Sequence, residues 1–249
     1  MMTKKIFLWG PARCMSTAML RSFQMRDDTT GLFEPYADTY YFSKDRKTNM
    51  YGDRPELWNQ TGDVVDHSLK SIGSEILFVK EMAYFGLPYI GNEIFNDSLH
   101  TIIIREPKAC LRSRKKVRKN EIGEWEYGFT ALDDLWGKIL TDNGEIPPVI
   151  EGDALRDNPE YSLRKYCDAI GVEFQNSQLS WNDGNVRKWT KEEAEAHARF
   201  HKTLESSKGF IHSSKINYDA HFDFDVREWE MIEKATEIYE KIKKHAINL

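Results

Sequence analysis

Short apolar runs that end in glycine or charged residues constrain the fold of this chain more than any other feature. Three are strong, at residues 6–9, 76–79 and 101–104, while a fourth lies at 148–150 and a weaker fifth at 30–33. Continuous runs of this length, bounded by turn residues, are typical of strands buried on both faces of a parallel sheet. Patterns with helical spacing separate the runs, so we expect an α/β fold with a central parallel sheet.

Proline and glycine residues mark where the helices of this fold begin and end. Pro107 and Pro159 stand where a first helical turn tolerates proline, and Gly171 ends the second of these helices. Residues 225–245 repeat apolar side chains at steps of three and four, which predicts an amphipathic C-terminal helix. No repeat or Pro/Gly-rich linker divides the sequence, and we expect a single three-layer domain over residues 1–249.

The composition argues against several classes of protein. Apolar residues make up 40% of the chain, yet no apolar run reaches the roughly 18–20 residues that span a bilayer. The apolar stretch after the N-terminal lysines is too short for a secretory signal. Three cysteines without a CxxC spacing indicate neither a disulfide framework nor a zinc site. The formal charge of −5 argues against a general nucleic-acid or membrane binder. Together with the cysteines and the short apolar stretch, it leads us to expect a cytoplasmic protein that binds no metal, no nucleic acid and no membrane.

The first candidate anion site is the loop after the first strand, residues 10–17 of sequence GPARCMST. We expect a helix to begin near Ser16, so that its N–H groups and the positive end of its dipole face an anion. Arg13 adds a full charge, and Ser16 and Thr17 add hydroxyl donors. The loop resembles a P-loop but lacks the second glycine and the lysine of GxxxxGK[ST]. The alternative is that Ser16 only caps the helix.

A second candidate anion site combines Arg105, at the end of a strand, with Ser113, eight residues later on the helix that Pro107 opens. Both side chains can point at one phosphate, and the planar guanidinium group suits bidentate binding. The surrounding segment, residues 105–119, is rich in lysine and arginine, as expected for a site that binds a phosphorylated ligand. The alternative is a solvated helix face.

Together, the two motifs resemble those of sulfotransferases that use 3′-phosphoadenosine 5′-phosphosulfate (PAPS). The loop P-[KR]-S-G-T-T of that family corresponds to residues 12–17, ARCMST, and its motif R-[DN]-P-x5-S corresponds to residues 105–113, REPKACLRS. Residues 149–155 and the glycine-containing stretch 206–210 are similar to two later motifs. Cys14 and Met15 stand where serine and glycine are more usual, and the late motif R-K-G-x-x-G is absent.

The resemblance implies a P-loop-like sulfotransferase fold, PAPS as co-substrate and 3′,5′-adenosine diphosphate as product. It assigns the 5′-phosphosulfate to the first loop and the 3′-phosphate to Arg105 and Ser113. We expect two anion sites, separated by the length of an adenosine that carries phosphates at both ends. The cofactor-binding residues that the resemblance implies are Arg13, Cys14, Met15, Ser16, Thr17, Ala18, Arg105, Ser113, Ser207, Lys208 and Gly209.

Candidate catalytic residues follow from the charge that builds up on oxygen during sulfuryl transfer, as it does in phosphoryl transfer. Arg13 is the candidate for stabilising that charge, since arginine does not readily act as an acid. In the resembled family a strand ending in K-x-H supplies the base, and Met82 stands at the histidine position. Glu81 is the leading substitute and Glu34 its rival. Lys80 is a candidate for binding sulfonate oxygens.

Ordinary structural roles are the alternatives for the same side chains. Lys80 and Glu81 can form an ordinary ion pair, Glu34 can be a turn carboxylate, and His67, the third candidate base, is expected on the surface. A small-molecule or nucleotide kinase is an alternative function. A non-catalytic nucleotide-binding regulator is another, with the basic stretch 112–119 as its contact surface.

The acceptor is expected to be a small molecule with a hydroxyl or an amine. Loops over the ligand are expected in two polar, irregular stretches, residues 38–70 and 175–215. The sequence does not choose among the aromatic residues that could line an acceptor pocket: Tyr36, Tyr40, Tyr41, Trp58, Tyr84, Phe85, Trp125 and Tyr127.

Overall fold

Five parallel strands form one sheet in the computed structural model, which describes residues 3–117, 121–184, 202–215 and 223–249. Their order across the sheet is β2-β3-β1-β4-β5, and every neighbouring pair is parallel. All five predicted strands are confirmed, together with the α/β fold class. The strands are β1 (Lys4–Gly10), β2 (Thr29–Phe33), β3 (Ile76–Met82), β4 (Ser98–Ile104) and β5 (Val149–Glu151).

Helices connect the strands and begin and end near the predicted residues. Pro107 and Pro159 are each the first residue of a helix, and Gly171 ends the second of these in a left-handed conformation. The helices within the described ranges are α1 (Ser16–Gln24), α2 (Ala37–Phe42), α3 (Gly62–Lys70), α4 (Ala83–Gly86), α5 (Asn92–Asn96), α6 (Pro107–Val117), α7 (Glu124–Tyr127), α8 (Phe129–Asn143), α9 (Gly152–Asp157), α10 (Pro159–Ile170), α11 (Lys202–Glu205) and α12 (Val226–Lys243), with 3₁₀ turns at Pro55–Leu57, Asn176–Leu179 and Ser213–Lys215.

Side chains of the sheet alternate between two layers of helices. On one face, Phe78 of β3 stacks on Phe23 of α1 with ring centroids 4.0 Å apart, and both rings contact Tyr166 of α10. On the other face, Trp9 Nε1 donates a 3.0 Å hydrogen bond to His100 Nδ1. All seven residues of β3 are buried, as expected for a parallel sheet covered on both sides.

The expectation of irregular structure over residues 38–70 is wrong at its two ends. The helices α2 and α3 occupy the two ends of this stretch. In α3, Val65 and Leu69 lie one turn apart and are both buried. Two apolar residues within a polar stretch are too few to reveal a helical period, and packing on the body stabilises such a short helix. In the second stretch, residues 185–201 lie outside the described residues.

The three cysteines are buried, reduced thiols. In the part of the chain that the structure describes, no helix combines the length and the apolar character needed to cross a membrane. The amphipathic C-terminal helix is confirmed as α12, and Asp225 caps its N-terminus by accepting a 2.8 Å hydrogen bond from the amide of Glu228.

Candidate active site

A cavity of about 600 Å³ lies at the edge of the sheet where β1, β3 and β4 end. The loop after β1, the turn after β2, the helix α6 and residues 203–211 all contribute to its wall. The wall therefore offers a ligand both cations and apolar rings. Its basic residues are Arg13, Lys80, Arg105, Arg112, Arg114, Lys116 and Arg156, and its aromatic residues are Phe33, Tyr41, Phe42, Tyr51, Tyr84, Phe85 and Phe210.

The loop after β1 has the backbone of a glycine-rich anion loop, although Gly10 is its only glycine. Arg13 and Met15 have φ angles of 67° and 79°, a left-handed conformation that costs a residue other than glycine about 1–2 kcal/mol. The helix α1 begins directly after Met15, whose side chain does not cap it. The positive end of α1 therefore faces the cavity beside Ser16 and Thr17.

The two predicted anion sites are joined in the structure. Arg13 Nε donates a 3.1 Å hydrogen bond to Ser113 Oγ, and Arg105 Nη1 donates a 3.3 Å hydrogen bond to the carbonyl oxygen of Arg13. The expected separation by the length of an adenosine is therefore wrong for these side chains. The strand order explains the difference, because β1 and β4 are neighbours and the loop after one lies against the helix after the other.

Arg105 points at the cavity rather than into the core. Its Nε donates a 2.9 Å hydrogen bond to Asp153 Oδ1, and the same oxygen lies 2.8 Å from Arg156 Nη2. Asp153, in the first turn of α9, thus holds two guanidinium groups in the cavity wall. Sequence reasoning missed Arg156, because its nearness to Arg105 depends on β4 and β5 being paired.

Positive charge is concentrated at this end of the cavity. Burial, and then the charges of Arg114 and Arg105, lower the pKa of Arg13 to about 10. Arg13 is still protonated near neutral pH, and a bound anion relieves the repulsion among the three guanidinium groups. Arg114 is oriented by an ion pair with the buried Glu126, in which Nη2 and Oε1 are 3.0 Å apart. The arrangement favours a ligand with more than one negative charge.

The basic helix α6 divides its side chains between the cavity and the protein body. Arg112, Ser113 and Lys116 line the cavity, whereas Lys115 pairs with Glu228 of α12 at 2.5 Å. The sequence shows that the segment is basic, but the face that turns to the cavity depends on how the helix packs. The four-residue spacing of Arg112 and Lys116 is the signal that could have identified them.

Lys80 and Glu34 form an ion pair in the cavity wall. The Lys80 Nζ atom also lies 4.8 Å from the centre of the Phe33 ring. Glu34 follows β2 with a φ angle of 46°, and its amide donates a 2.8 Å hydrogen bond to the carbonyl oxygen of Lys80. A glutamate adopts such a conformation only where its surroundings enforce it. These contacts hold the Glu34 carboxylate at the cavity.

Glu81 is fully buried and does not line the cavity. Its carboxylate accepts hydrogen bonds from the amides of Tyr36, at 3.0 Å, and Met82, at 2.8 Å. Burial, and then the charge of Glu34, raise the pKa of Glu81 to about 8. Neighbouring residues of a strand point to opposite faces, so Lys80 faces the cavity and Glu81 does not. This geometry disagrees with Glu81 as the leading candidate base and favours Glu34.

The aromatic end of the cavity belongs to a second apolar cluster, distinct from the main core. The rings of Tyr84 and Phe85 have centroids 4.1 Å apart, and Tyr41 lies 5.3 Å from Phe85. Of the eight aromatic residues considered from the sequence, these three line the cavity. The other five do not: Tyr36, Tyr40, Trp58, Trp125 and Tyr127.

Comparison with known proteins identifies the family. Residues 4–239 match the family described as "Sulfotransferase domain". This chain belongs to the sulfotransferase domain family.

Two curated relatives of this sulfotransferase domain come from Arabidopsis thaliana. The chain is 27% identical over 248 residues to branched-chain-amino-acid aminotransferase-like protein 2, and 29% identical over 251 residues to branched-chain-amino-acid aminotransferase-like protein 1. Each match covers 96% of this chain but only 41% and 42% of the two relatives. The chain thus spans about two-fifths of the length of the curated relatives it matches, and the activity in their names is a statement about those proteins.

Two solved structures share the fold. The sulfotransferase domain from the curacin biosynthetic pathway superposes with a TM-score of 0.57 at 13% identity, covering 94% of this chain and 98% of that one. The sulfotransferase domain from the Synechococcus PCC 7002 olefin synthase gives a TM-score of 0.52 at 13% identity, covering 94% and 95%. At this identity the likeness shows the fold alone.

Most residues that the sulfotransferase motifs implied for the nucleotide line the cavity, but two do not. The Cys14 side chain is fully buried in the main core. Lys208 instead borders a separate shallow depression beside Trp181. His67 is exposed on α3 and lies away from the cavity wall. The residues that do line the cavity are Arg13, Met15, Ser16, Thr17, Ala18, Arg105, Ser113, Ser207 and Gly209.

Gly152 allows α9 to approach the first loop of this sulfotransferase domain closely. A Cβ atom at this position would lie 2.5 Å from the Cys14 carbonyl oxygen and 3.2 Å from that of Ile104. We expect Gly152→Ala to lower the free energy of unfolding by about 1–3 kcal/mol, measured by urea denaturation, because backbone atoms must shift. Gly137→Ala is the matched control, since a Cβ there would meet no atom within 4 Å. A Gly152→Ala protein as stable as the wild type would contradict this close approach.

Proposed function

We propose that this chain transfers a sulfuryl group from PAPS to a hydroxyl or amine of a small-molecule acceptor. The observation that carries the proposal is a cationic cavity in which the loop before α1 meets Arg105 and Ser113, in a chain of the sulfotransferase domain family. A donor whose ribose carries both a 3′-phosphate and a 5′-phosphosulfate matches this cluster of charge.

The nucleotide is proposed to lie across the joined anion sites. Arg105 and Ser113 bind the 3′-phosphate, while Arg13 and the N-terminus of α1 bind the 5′-phosphosulfate. The hydrogen bond from Arg13 to Ser113 is compatible with this arrangement. A serine hydroxyl that accepts from a guanidinium group can still donate its own proton to a phosphate oxygen.

The proposed chemistry breaks the bond between sulfur and the bridging oxygen and forms a bond from sulfur to the acceptor atom. Negative charge grows on the leaving oxygen, which becomes part of 3′,5′-adenosine diphosphate, and Arg13 and Lys80 are proposed to stabilise it. The acceptor proton passes to Glu34, the carboxylate that lines the cavity beside Lys80.

The aromatic end is proposed to hold the body of the acceptor. Tyr41, Tyr84 and Phe85 present ring surfaces there, which suit an apolar or aromatic portion better than a polyol whose hydroxyls would be left without partners. A screen of metabolites with labelled PAPS tests the function as a whole. Sulfated product identifies the acceptor, whereas stabilisation by ATP with magnesium but not by 3′,5′-adenosine diphosphate in a thermal-shift assay would favour a kinase.

Arg105→Ala is expected to weaken binding of 3′,5′-adenosine diphosphate by about 10- to 150-fold, which corresponds to the loss of charge-assisted hydrogen bonds worth about 1.5–3 kcal/mol. Isothermal titration calorimetry measures this change directly. Arg164→Ala is the control, because Arg164 is an exposed arginine paired with Glu160 on α10. Unchanged nucleotide affinity in Arg105→Ala would contradict the assignment of the 3′-phosphate.

A further inference from the structure

Glu81 carries a buried carboxyl group beside the candidate active site that the proposed transfer does not use. It lies on the face of β3 away from the cavity, and it is tightly packed. A Cβ atom on Gly86 would lie 2.7 Å from the Glu81 Cγ atom and 2.7 Å from the Trp9 ring. Burying a carboxyl group costs free energy unless hydrogen bonds compensate it. An apolar residue at this position would not have that cost.

The hydrogen bonds of Glu81 join the end of β3 to the turn that carries Glu34. One carboxylate oxygen accepts from the amide of Tyr36 and the other from the amide of Met82. Two residues before Tyr36, the amide of Glu34 donates to the carbonyl oxygen of Lys80. The turn is thereby attached to β3 both at Glu34 itself and just beyond it.

These attachments enclose the strained residue of the turn. Glu34 has the left-handed φ angle of 46°, and its carboxylate pairs with Lys80 in the cavity wall. A residue other than glycine relaxes toward extended or helical backbone when its neighbours no longer hold it. The backbone that follows Glu34 is held by the carboxylate of Glu81.

We propose that Glu81 is a positioning residue that keeps Glu34 in its left-handed conformation and so directs the Glu34 carboxylate at the acceptor. The inference rests on the proposed function, in which Glu34 accepts the acceptor proton. Glu81 touches neither substrate nor nucleotide, and its effect on the reaction passes through Glu34. Glutamine at position 81 keeps the size of the side chain but loses one of the two hydrogen-bond acceptors, because an amide NH₂ group does not accept.

A double-mutant cycle tests whether Glu81 acts through Glu34. We expect Glu81→Gln to lower kcat for sulfuryl transfer by about 10- to 100-fold, because a small displacement of a reacting group has an effect of this size. In the Glu34→Gln background, the same change should lower kcat by less than about twofold. Equal losses in both backgrounds would overturn the proposal, since they would show that Glu81 acts independently of Glu34.

Two further measurements distinguish the positioning of Glu34 from a purely structural role of Glu81. Calorimetry with 3′,5′-adenosine diphosphate should give a Kd within about twofold of the wild-type value for Glu81→Gln, since the anion sites are not touched. Val79→Ala is the matched control, because it removes buried atoms from the same strand without removing a hydrogen bond of the turn. If Val79→Ala lowers kcat as much as Glu81→Gln does, general loosening of β3 explains the effect and the proposal fails.

A crystal structure of Glu81→Ala separates failure of this inference from failure of the proposed function. We expect the φ angle of Glu34 to leave the positive region and its ion pair with Lys80 to open. That readout needs no activity. If PAPS is not a substrate at all, the sulfuryl-transfer proposal fails while the structure still decides the positioning. An unchanged turn in Glu81→Ala would overturn the inference even in an active enzyme.

Discussion

Arg13→Met is expected to lower kcat for sulfuryl transfer by about 10²–10³-fold, the loss seen when one preorganised donor to developing negative charge is removed. Methionine has a similar length but no charge, so the strained loop can persist while the guanidinium group is lost. Rapid-quench measurement of a single turnover with labelled PAPS reports the chemical step. Calorimetry with 3′,5′-adenosine diphosphate measures binding separately, because Arg13 also contacts Ser113.

Arg13→Lys is the informative companion variant. Lysine restores the charge without the planar fork of donors, so we expect a kcat between those of Arg13→Met and the wild type. Arg164→Met serves as the control for loss of an arginine at an exposed position on α10. A single-turnover rate for Arg13→Met within about threefold of the wild type would remove Arg13 from charge stabilisation.

Glu34→Gln is expected to lower kcat by about 10²–10⁴-fold, the usual contribution of a positioned general base. The amide oxygen can still accept a hydrogen bond from Lys80, so the side chain keeps a partner while losing its basicity. Rapid-quench measurement of a single turnover with labelled PAPS checks this loss in the chemical step.

The control for this change is Glu93→Gln, at a glutamate that pairs with Lys70 away from the cavity. It should leave kcat within about twofold of the wild type. If the single-turnover rate of Glu34→Gln stays within about threefold of the wild-type rate, another group accepts the proton. Glu81 could then have no effect on the reaction through Glu34, although the geometry of the turn would be unchanged.

Lys80 and Glu81 show what the sequence can and cannot predict about the site. The sequence placed both residues at the end of a strand, and alternation along that strand meant that only one could face a ligand. Which one did so depended on the layer of helices against which each face packs. In the structure Lys80 faces the cavity and Glu81 faces the interior. Of the two glutamates considered as the base, Glu34 is therefore the one that lines the cavity.

The arginines of the cavity show a second limit. Arg105 was identified because it ends a strand, where parallel sheets place their ligands. Arg156 and Arg114 were not. The spacing of Asp153 and Arg156 is local, but their nearness to Arg105 depends on the pairing of β4 with β5. The ion pair of Arg114 with Glu126 likewise depends on packing between two separate helices.

Hydrophobic runs and turn residues act over a few positions, so the five strands and the parallel α/β class could be predicted before folding, as could the two motifs around Arg13 and Arg105. The strand order, the contact between the two anion sites through Ser113, and the partners of Glu34 and Glu81 follow only from the packed fold. Charges and hydrogen bonds act across space, and the packing of the whole sheet sets which loops become neighbours.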